Sequence, residues 1–197
     1  MASRSAGCYH VAMKQHRRCP WWLEYLLASP LRGLFENAND TVGRYVREGM
    51  TVLEPGPGMG FFTVPLARLV GPTGRVVAVE VQSRMLAGLK KRLAKAGLLE
   101  RVDARLVAPE SMGVSDLAGA VDCALALAVV HEMPSAKNFF VETAAALKKG
   151  GLLLLAEPTG HVSPGNFEEE LNLAGEAGLK LIERPVIRRS RTALLGK

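Results

Sequence analysis

Three groups of residues in this chain have the types and spacing that chemistry requires: two acids at strand ends, a run of alternate glycines, and a histidine beside a further acid. The apolar run Met50–Leu53 ends in Glu54, and Gly56, Gly58 and Gly60 follow at alternate positions. Glycine serves where the backbone takes positive φ, or where a ligand must come closer than a Cβ allows. A second acid, Glu80, closes the next apolar run 20 residues after Gly60. Strand, glycine turn, helix N-terminus, second strand and acid together form a layout that holds a nucleotide-like ligand, the second acid accepting hydrogen bonds from ribose hydroxyls. His131 and Glu132 follow the apolar run Val121–Val130. An imidazole titrates near neutral pH, so His131 has the chemistry of a general base.

Spacing separates the kinds of nucleotide. The dinucleotide fingerprint G-x-G-x-x-G would put its third glycine at position 61, but that residue is Phe61 and the third glycine comes one residue early. Glu54, two residues before the first glycine, would repel a pyrophosphate and attract an α-ammonium and a sulfonium. Both features point to S-adenosylmethionine rather than NAD. On these residues the chain resembles the class I S-adenosylmethionine-dependent methyltransferases, whose first motif is acid-x-Gly-x-Gly-x-Gly, from roughly Gly49 to the C-terminus. The resemblance implies an α/β fold: a Rossmann-like, doubly wound, mostly parallel seven-stranded sheet with a C-terminal antiparallel hairpin and an N-terminal helical extension. It implies S-adenosylmethionine as cofactor, its methionine part on Glu54 and the Gly56–Gly60 loop, its ribose on Glu80, and its adenine against Val81 and Met85. Phe62, Ala108, Glu110 and Ala128 complete the implied cofactor set. Many relatives carry an aspartate after the third strand for the adenine amino group. Here Ala108-Pro109 stands there, so Glu110 or a nearby backbone carbonyl is expected to accept instead.

Methyl transfer from a sulfonium is an in-line displacement, and aligning the nucleophile in a near-attack geometry is worth roughly 7–11 kcal/mol. A base is needed only where the nucleophile must lose a proton. His131 stands just past the fourth strand, with Glu132 beside it to orient the ring; both are the candidate catalytic residues. His161, past the fifth strand, is the second choice for the base, and the alternative for each is a histidine that merely binds a loop carbonyl. Enzymes that methylate exocyclic amines of nucleobases typically present Asn/Asp-Pro-Pro-aromatic after the fourth strand. This chain has Val129-Val130-His131-Glu132, which disfavours base N-methylation. The expected acceptor is a small molecule, quinone-like or otherwise hydrophobic, since fewer than 50 residues precede the core and no recognition domain is visible. The alternatives are an RNA or protein methyltransferase, a protein that senses S-adenosylmethionine without turnover, and a nicotinamide oxidoreductase, which Glu54 and Phe61 count against.

The elements must bring these residues to one edge of the sheet, because ligands in open α/β sheets bind beyond the carboxyl ends of the strands. Helical spacing is expected over Phe61–Val70 and from Ser83, a candidate N-cap, to Gly97. Val102–Val107 reads as the third strand and Val121-Asp122 followed by Cys123–Ala128 as the fourth, the latter run apolar as a strand covered on both faces should be. Ser135–Leu147 reads as a helix ended by Gly150-Gly151, with Lys148 and Lys149 at its negative end. Leu152–Ala156 is the expected fifth strand, Glu157-Pro158 its tip, and Asn166–Ala177 the next helix. Leu179–Arg184 and Thr192–Leu195 are joined too tightly for a helical crossover and must pair antiparallel. Ahead of the first strand, Leu31, Leu34 and Phe35 recur at helical spacing, Thr41–Arg47 reads as a short helix, and Trp21 and Trp22 are expected to pack on the sheet's flank with part of one indole lining the pocket. Residues 1–48 are thus expected to form a tail and helical lid, and 49–197 the methyltransferase domain.

Composition sets the outer bounds. At 197 residues, 48% hydrophobic and 22% charged, the chain has the makings of one globular domain. No apolar run approaches the roughly 18 residues of a membrane span, and the N-terminus lacks a secretory signal. With no acid before Glu24, that end reads as a disordered basic tail, a mitochondrial presequence being the alternative; the expected location is the cytoplasm. Three scattered cysteines make no disulfide framework, and Cys123 reads as a small buried hydrophobe. Cys8, His10, His16 and Cys19 match no familiar zinc spacing, so no metal is expected. The net charge of +6 permits an anionic partner without demanding one. It falls on the tail, on the helix around Lys90–Lys95 (a solvated face), and on Arg184–Arg191. Nucleic acid is possible but not favoured, and the oligomeric state stays open.

Overall fold

A computed structural model describes residues 41–197. Seven strands form one sheet in the order β3-β2-β1-β4-β5-β7-β6. They are β1 (Thr51–Pro55), β2 (Arg75–Glu80), β3 (Val102–Leu106), β4 (Val121–Leu127), β5 (Leu147–Pro158), β6 (Lys180–Glu183) and β7 (Ser190–Gly196). The first five run parallel, and β7 lies antiparallel between β5 and β6. This is the expected architecture.

The two-residue period of a strand sends alternate side chains to opposite faces. Leu53, Val77, Val79, Ala124, Ala126, Leu153 and Leu155 all join one core, while Val52, Val76, Ala78, Cys123, Leu125 and Leu154 join the other. Helices α1 (Thr63–Leu69) and α2 (Ser83–Ala96) cover the second face through Leu66, Leu89 and Leu93. Helices α3 (Ala136–Ala146) and α4 (Pro164–Glu176) cover the first through Phe139, Phe140 and Phe167. No α-helix forms between β3 and β4; Met112, Val114 and Leu117, around a single 3-10 turn, seal that stretch of the first face. Burying a side chain of this size contributes about 1.5–3 kcal/mol, which is why a loop there must still carry three.

Local chemistry sets the helix ends. The Ser135 and Ser163 hydroxyls accept from the N–H groups of Asn138 and Asn166, and Pro164 follows as the first helical residue of α4. Gly97 closes α2 in the left-handed region at φ +67°, with the Leu98 N–H returning to the Leu93 carbonyl.

Several expected boundaries are corrected. Ser83 is the first residue of α2, and Gln82 occupies the N-cap. Only Thr41 and Val42 of the helix expected over Thr41–Arg47 are helical, and a turn follows. Lys148 and Lys149 belong to the irregular start of β5 rather than to a helix terminus, and Lys148 Nζ binds Asp122 Oδ1 at 2.6 Å. Lys90, Lys91, Arg92 and Lys95 form the expected solvated face. Trp21, Trp22 and the Cys8–Cys19 cluster lie outside the described residues. Among the described residues no helix is long and apolar enough to cross a membrane.

Candidate active site

The strand order reverses between β1 and β4: the chain works outward from β1 to β3, then returns to the other side of β1. At such a switch point the loops after the two strands diverge and leave a crevice. A cavity of about 770 Å³ opens there, in the range of small-molecule sites. It is lined by the loops after β1, β2, β3, β4 and β5 and by Arg188–Ser190 at the start of β7. The antiparallel register, with Pro158 opposite Ser190, is what brings that last segment to the same end of the sheet.

The three glycines of the first loop have three different jobs. A Cβ on Gly56 would stand 2.5 Å from Val129 Cγ2, so this glycine lets the β1 and β4 loops touch. One on Gly60 would meet Leu89 Cδ1 at 2.6 Å, so that glycine seats the loop on α2. Gly58 has φ +53° and nothing within 4 Å of a Cβ, and it lines the cavity: the space beside it is left for a ligand.

Glu54 is buried at the tip of β1 and lines the same cavity, and its Oε2 has no hydrogen-bond partner among the described residues. Burial pushes its carboxyl up to about 7; the Thr63 side chain opposes the shift without completing a hydrogen bond, and nearby Glu80 adds to it. A buried carboxylate with an open lone pair is a seat for a cation. The orphaned oxygen and the unfilled cradle at Gly58 together fit the ammonium end of S-adenosylmethionine.

Glu80 is held more firmly. Its Oε1 accepts from the N–H groups of Val81 (2.8 Å) and Gln82 (2.9 Å), and its Oε2 from that of Gly58 (3.2 Å). Burial raises its pKa, the three N–H groups pull it down, and Glu132 raises it again. A carboxylate can accept about four hydrogen bonds, so Glu80 ties the glycine loop to β2 and retains capacity toward a ribose.

His131 sits in a 3-10 turn after β4, entered through Ala128, whose φ of +60° is rare for a residue with a Cβ. Its Nδ1 is bound by Glu157 Oε2 from the tip of β5. Glu157 is fully buried, and its Oε1 accepts from the N–H groups of Val129 (3.2 Å) and Val130 (2.9 Å). The orienting acid is therefore Glu157; the expected one, Glu132, has its Oε1 3.9 Å from the other ring nitrogen. Burial lowers the His131 pKa, but Glu157, Glu132 and Glu170 outweigh it and the net shift is upward. His161 approaches, its Nδ1 3.4 Å from His131 Nε2.

Of the expected site residues, Glu54, Gly56, Gly58, Phe62, Glu80, Val81, Ala108, Glu110, Ala128, His131 and Glu132 line this one cavity. Gly60 and Met85 do not: the first packs on α2, and the second is buried outside the lining. Sequence reasoning left Glu157 without a role, although its place at a strand tip marked it.

The comparisons agree with the geometry. A profile of the methyltransferase domain family matches residues 53–155. A ubiquinone/menaquinone biosynthesis C-methyltransferase of Erwinia tasmaniensis is 30% identical over 112 residues, which is 57% of this chain and 44% of that protein. An arsenite methyltransferase of Halobacterium salinarum is 30% identical over 109 residues, 55% of this chain and 27% of that one. A crystal structure of an S-adenosylmethionine-dependent methyltransferase from Aquifex aeolicus shares the fold, with a TM-score of 0.78 at 21% identity over 91% of this chain and 98% of that one. The chain spans less than half the length of these two curated relatives. It belongs to the methyltransferase domain family.

Proposed function

We propose that this chain transfers a methyl group from S-adenosylmethionine to a small-molecule acceptor, with His131 as general base. The observation that carries the reading is that the cation seat at Glu54 and the imidazole of His131 line one cavity from opposite sides of the β1–β4 switch. Bound there, the cofactor supplies an electrophilic methyl on a sulfonium. The protein's own part is to hold and align. Glu54 and the cradle left open at Gly58 take the methionine end, and Glu80 the ribose. His131 holds a lone pair on Nε2, because the carboxylate of Glu157 keeps the proton on Nδ1.

Support for a small, apolar acceptor comes from the cavity wall, where Phe61, Met112, Leu127, Met133 and Phe139 gather. The curated relatives are named for quinone biosynthesis and for arsenite. An RNA or protein acceptor is the second reading, favoured by Arg188 and Arg189 on the cavity's lining. Calorimetric titration with S-adenosylmethionine, then a screen with radiolabelled donor against quinols, phenols, small thiols and total RNA, tests the proposal. Label in the small-molecule fraction that His131→Ala abolishes is the expected result; label in RNA alone would replace the acceptor class.

A further inference from the structure

Glu157 is fully buried, yet it accepts from three groups of a single loop: the Val129 and Val130 N–H groups and His131 Nδ1. A carboxylate only accepts, so the neutral His131 ring must carry its proton on Nδ1 and leave Nε2 basic. The atom facing that lone pair at 3.4 Å is His161 Nδ1, with the two rings at 75° and their centroids 5.3 Å apart. His161 lies on the turn after β5, its N–H bound to the Pro158 carbonyl, and it is exposed to solvent. One end of this array is buried, its middle lines the cavity, and its far end meets water.

We propose that Glu157, His131 and His161 form a proton relay, in which Glu157 is the positioning residue for His131 and His161 carries the proton from the reacting centre to solvent. This deepens the reading of His131 as base and rests on it. As the acceptor's new bond to carbon forms, its proton goes to His131 Nε2, while the electron pair of the broken carbon–sulfur bond stays on the donor's sulfur. His131 then passes that proton to His161 Nδ1, the proton on His161 Nε2 leaves to water, and the exposed His161 ring returns to its Nε2–H tautomer by proton exchange with solvent before the next turnover. One proton departs per turnover and no oxidant or reductant is involved.

Two acids flank the His131 ring and favour proton uptake there: Glu132 stands beside Nε2 and Glu157 holds Nδ1, with Glu170 approaching from α4. Glu170 is itself buried, with Oε2 unpartnered, and burial together with Glu157 lifts its carboxyl to about 8 although His131 opposes the shift. At neutral pH Glu170 is therefore largely protonated.

The test uses the full chain labelled with nitrogen-15 histidine, its four histidines assigned by single substitution. NMR across a pH series then reads tautomer and midpoint without cofactor or acceptor. The wild type is expected to show His131 as the Nδ1–H tautomer, with a titration curve broadened beyond a single step by the neighbouring His161 ring. His161→Gln, at an exposed position, should sharpen the His131 curve to one step. Glu157→Gln should release the tautomer and move the His131 midpoint down, since burial then opposes the charge with less resistance. An identical His131 curve in wild type and His161→Gln would overturn the relay, even should Glu157→Gln fail to fold. With an acceptor in hand, His161→Gln should lower kcat about 10- to 100-fold in dilute buffer, less than loss of the base itself, with KM unchanged and the rate restored by added imidazole. The two failures are distinguishable. A coupled array in a chain whose His131→Ala variant keeps its kcat sinks the base reading, whereas a chain that needs His131 but not His161 sinks only the relay.

Discussion

Glu54 turns a packing penalty into a recognition device. A carboxyl raised in the folded state to about 7 favours folding most below its unfolded pKa, and ionising it costs stability as pH rises through 7. A cationic ligand reverses the preference, because it pairs only with the ionised form. Below pH 7 the cofactor must therefore expel a proton to bind, and its affinity should fall by up to about tenfold per pH unit. Calorimetry at pH 6 in buffers of different ionisation heat should register nearly one proton released, and Glu54→Gln should release none. Equal heats in all buffers for the wild type would mean that Glu54 does not meet the ligand's charge. Gly58 offers a cleaner separation of binding from folding than its neighbours do. Gly58→Val should abolish cofactor binding with only the about 1–2 kcal/mol cost of a side chain in the left-handed region, since no protein atom lies where the Cβ would go. Gly56→Val, by contrast, drives into Val129 and should lower the melting temperature further. Retained binding by the folded Gly58→Val variant would take the ligand out of this loop.

At the scale of elements, the local periods in the sequence were enough to locate strands and helices but not the bonds between them. Apolar runs placed β1 to β4 to within a residue or so, and the tight connection before β7 dictated the antiparallel hairpin. Lys148 illustrates the limit. Its neighbours suggested a helix end, but the attraction that decides its place comes from Asp122, 26 residues away, at the irregular register between Val121 and Cys123. Glu157 was missed as the partner of His131 for the same reason: a pair 26 residues apart leaves no trace in a window of ten. Val121 and Ala128 set the ends of β4, and the first of these ends is pinned by Asp122, whose Oδ2 accepts the Thr51 N–H at 2.8 Å. Asp122→Ala should cost about 1–3 kcal/mol, because it strands a partly buried N–H at the head of β1. Lys148→Ala, which removes a half-exposed ion pair, should cost about 0–1 kcal/mol. Urea denaturation of both variants checks the order, and a larger loss in Lys148→Ala would show that the ion pair, not the backbone contact, holds the two strand starts together.

Across the whole molecule, the cavity collects residues from both sides of the switch. Glu54, Glu80 and Ala108 come from one half of the sheet, and His131, Pro158 and Ser190 from the other. These halves are joined at β1–β4 through a short register, Val52 with Cys123 and Leu53 with Ala124, supplemented by the close approach of Gly56 and Val129. A ligand seated across that seam adds attachments that the unfolded chain cannot offer, so binding must raise global stability. At a cofactor concentration 100 times its Kd the gain is about 2.7 kcal/mol, which for a domain of this length is roughly 5–11 °C in Tm. The Glu54 linkage adds a signature that generic ligand stabilisation lacks. At the same cofactor concentration the shift should shrink by roughly half between pH 7.5 and pH 6, since the weaker affinity removes about 1.3 kcal/mol. Glu54→Gln should show a smaller shift that is the same at both pH values. Scanning calorimetry of the two proteins with and without S-adenosylmethionine makes the comparison. A wild-type shift that does not depend on pH would show that the buried carboxylate is a bystander and that the loop at Gly58 and Glu80 hold the cofactor without it.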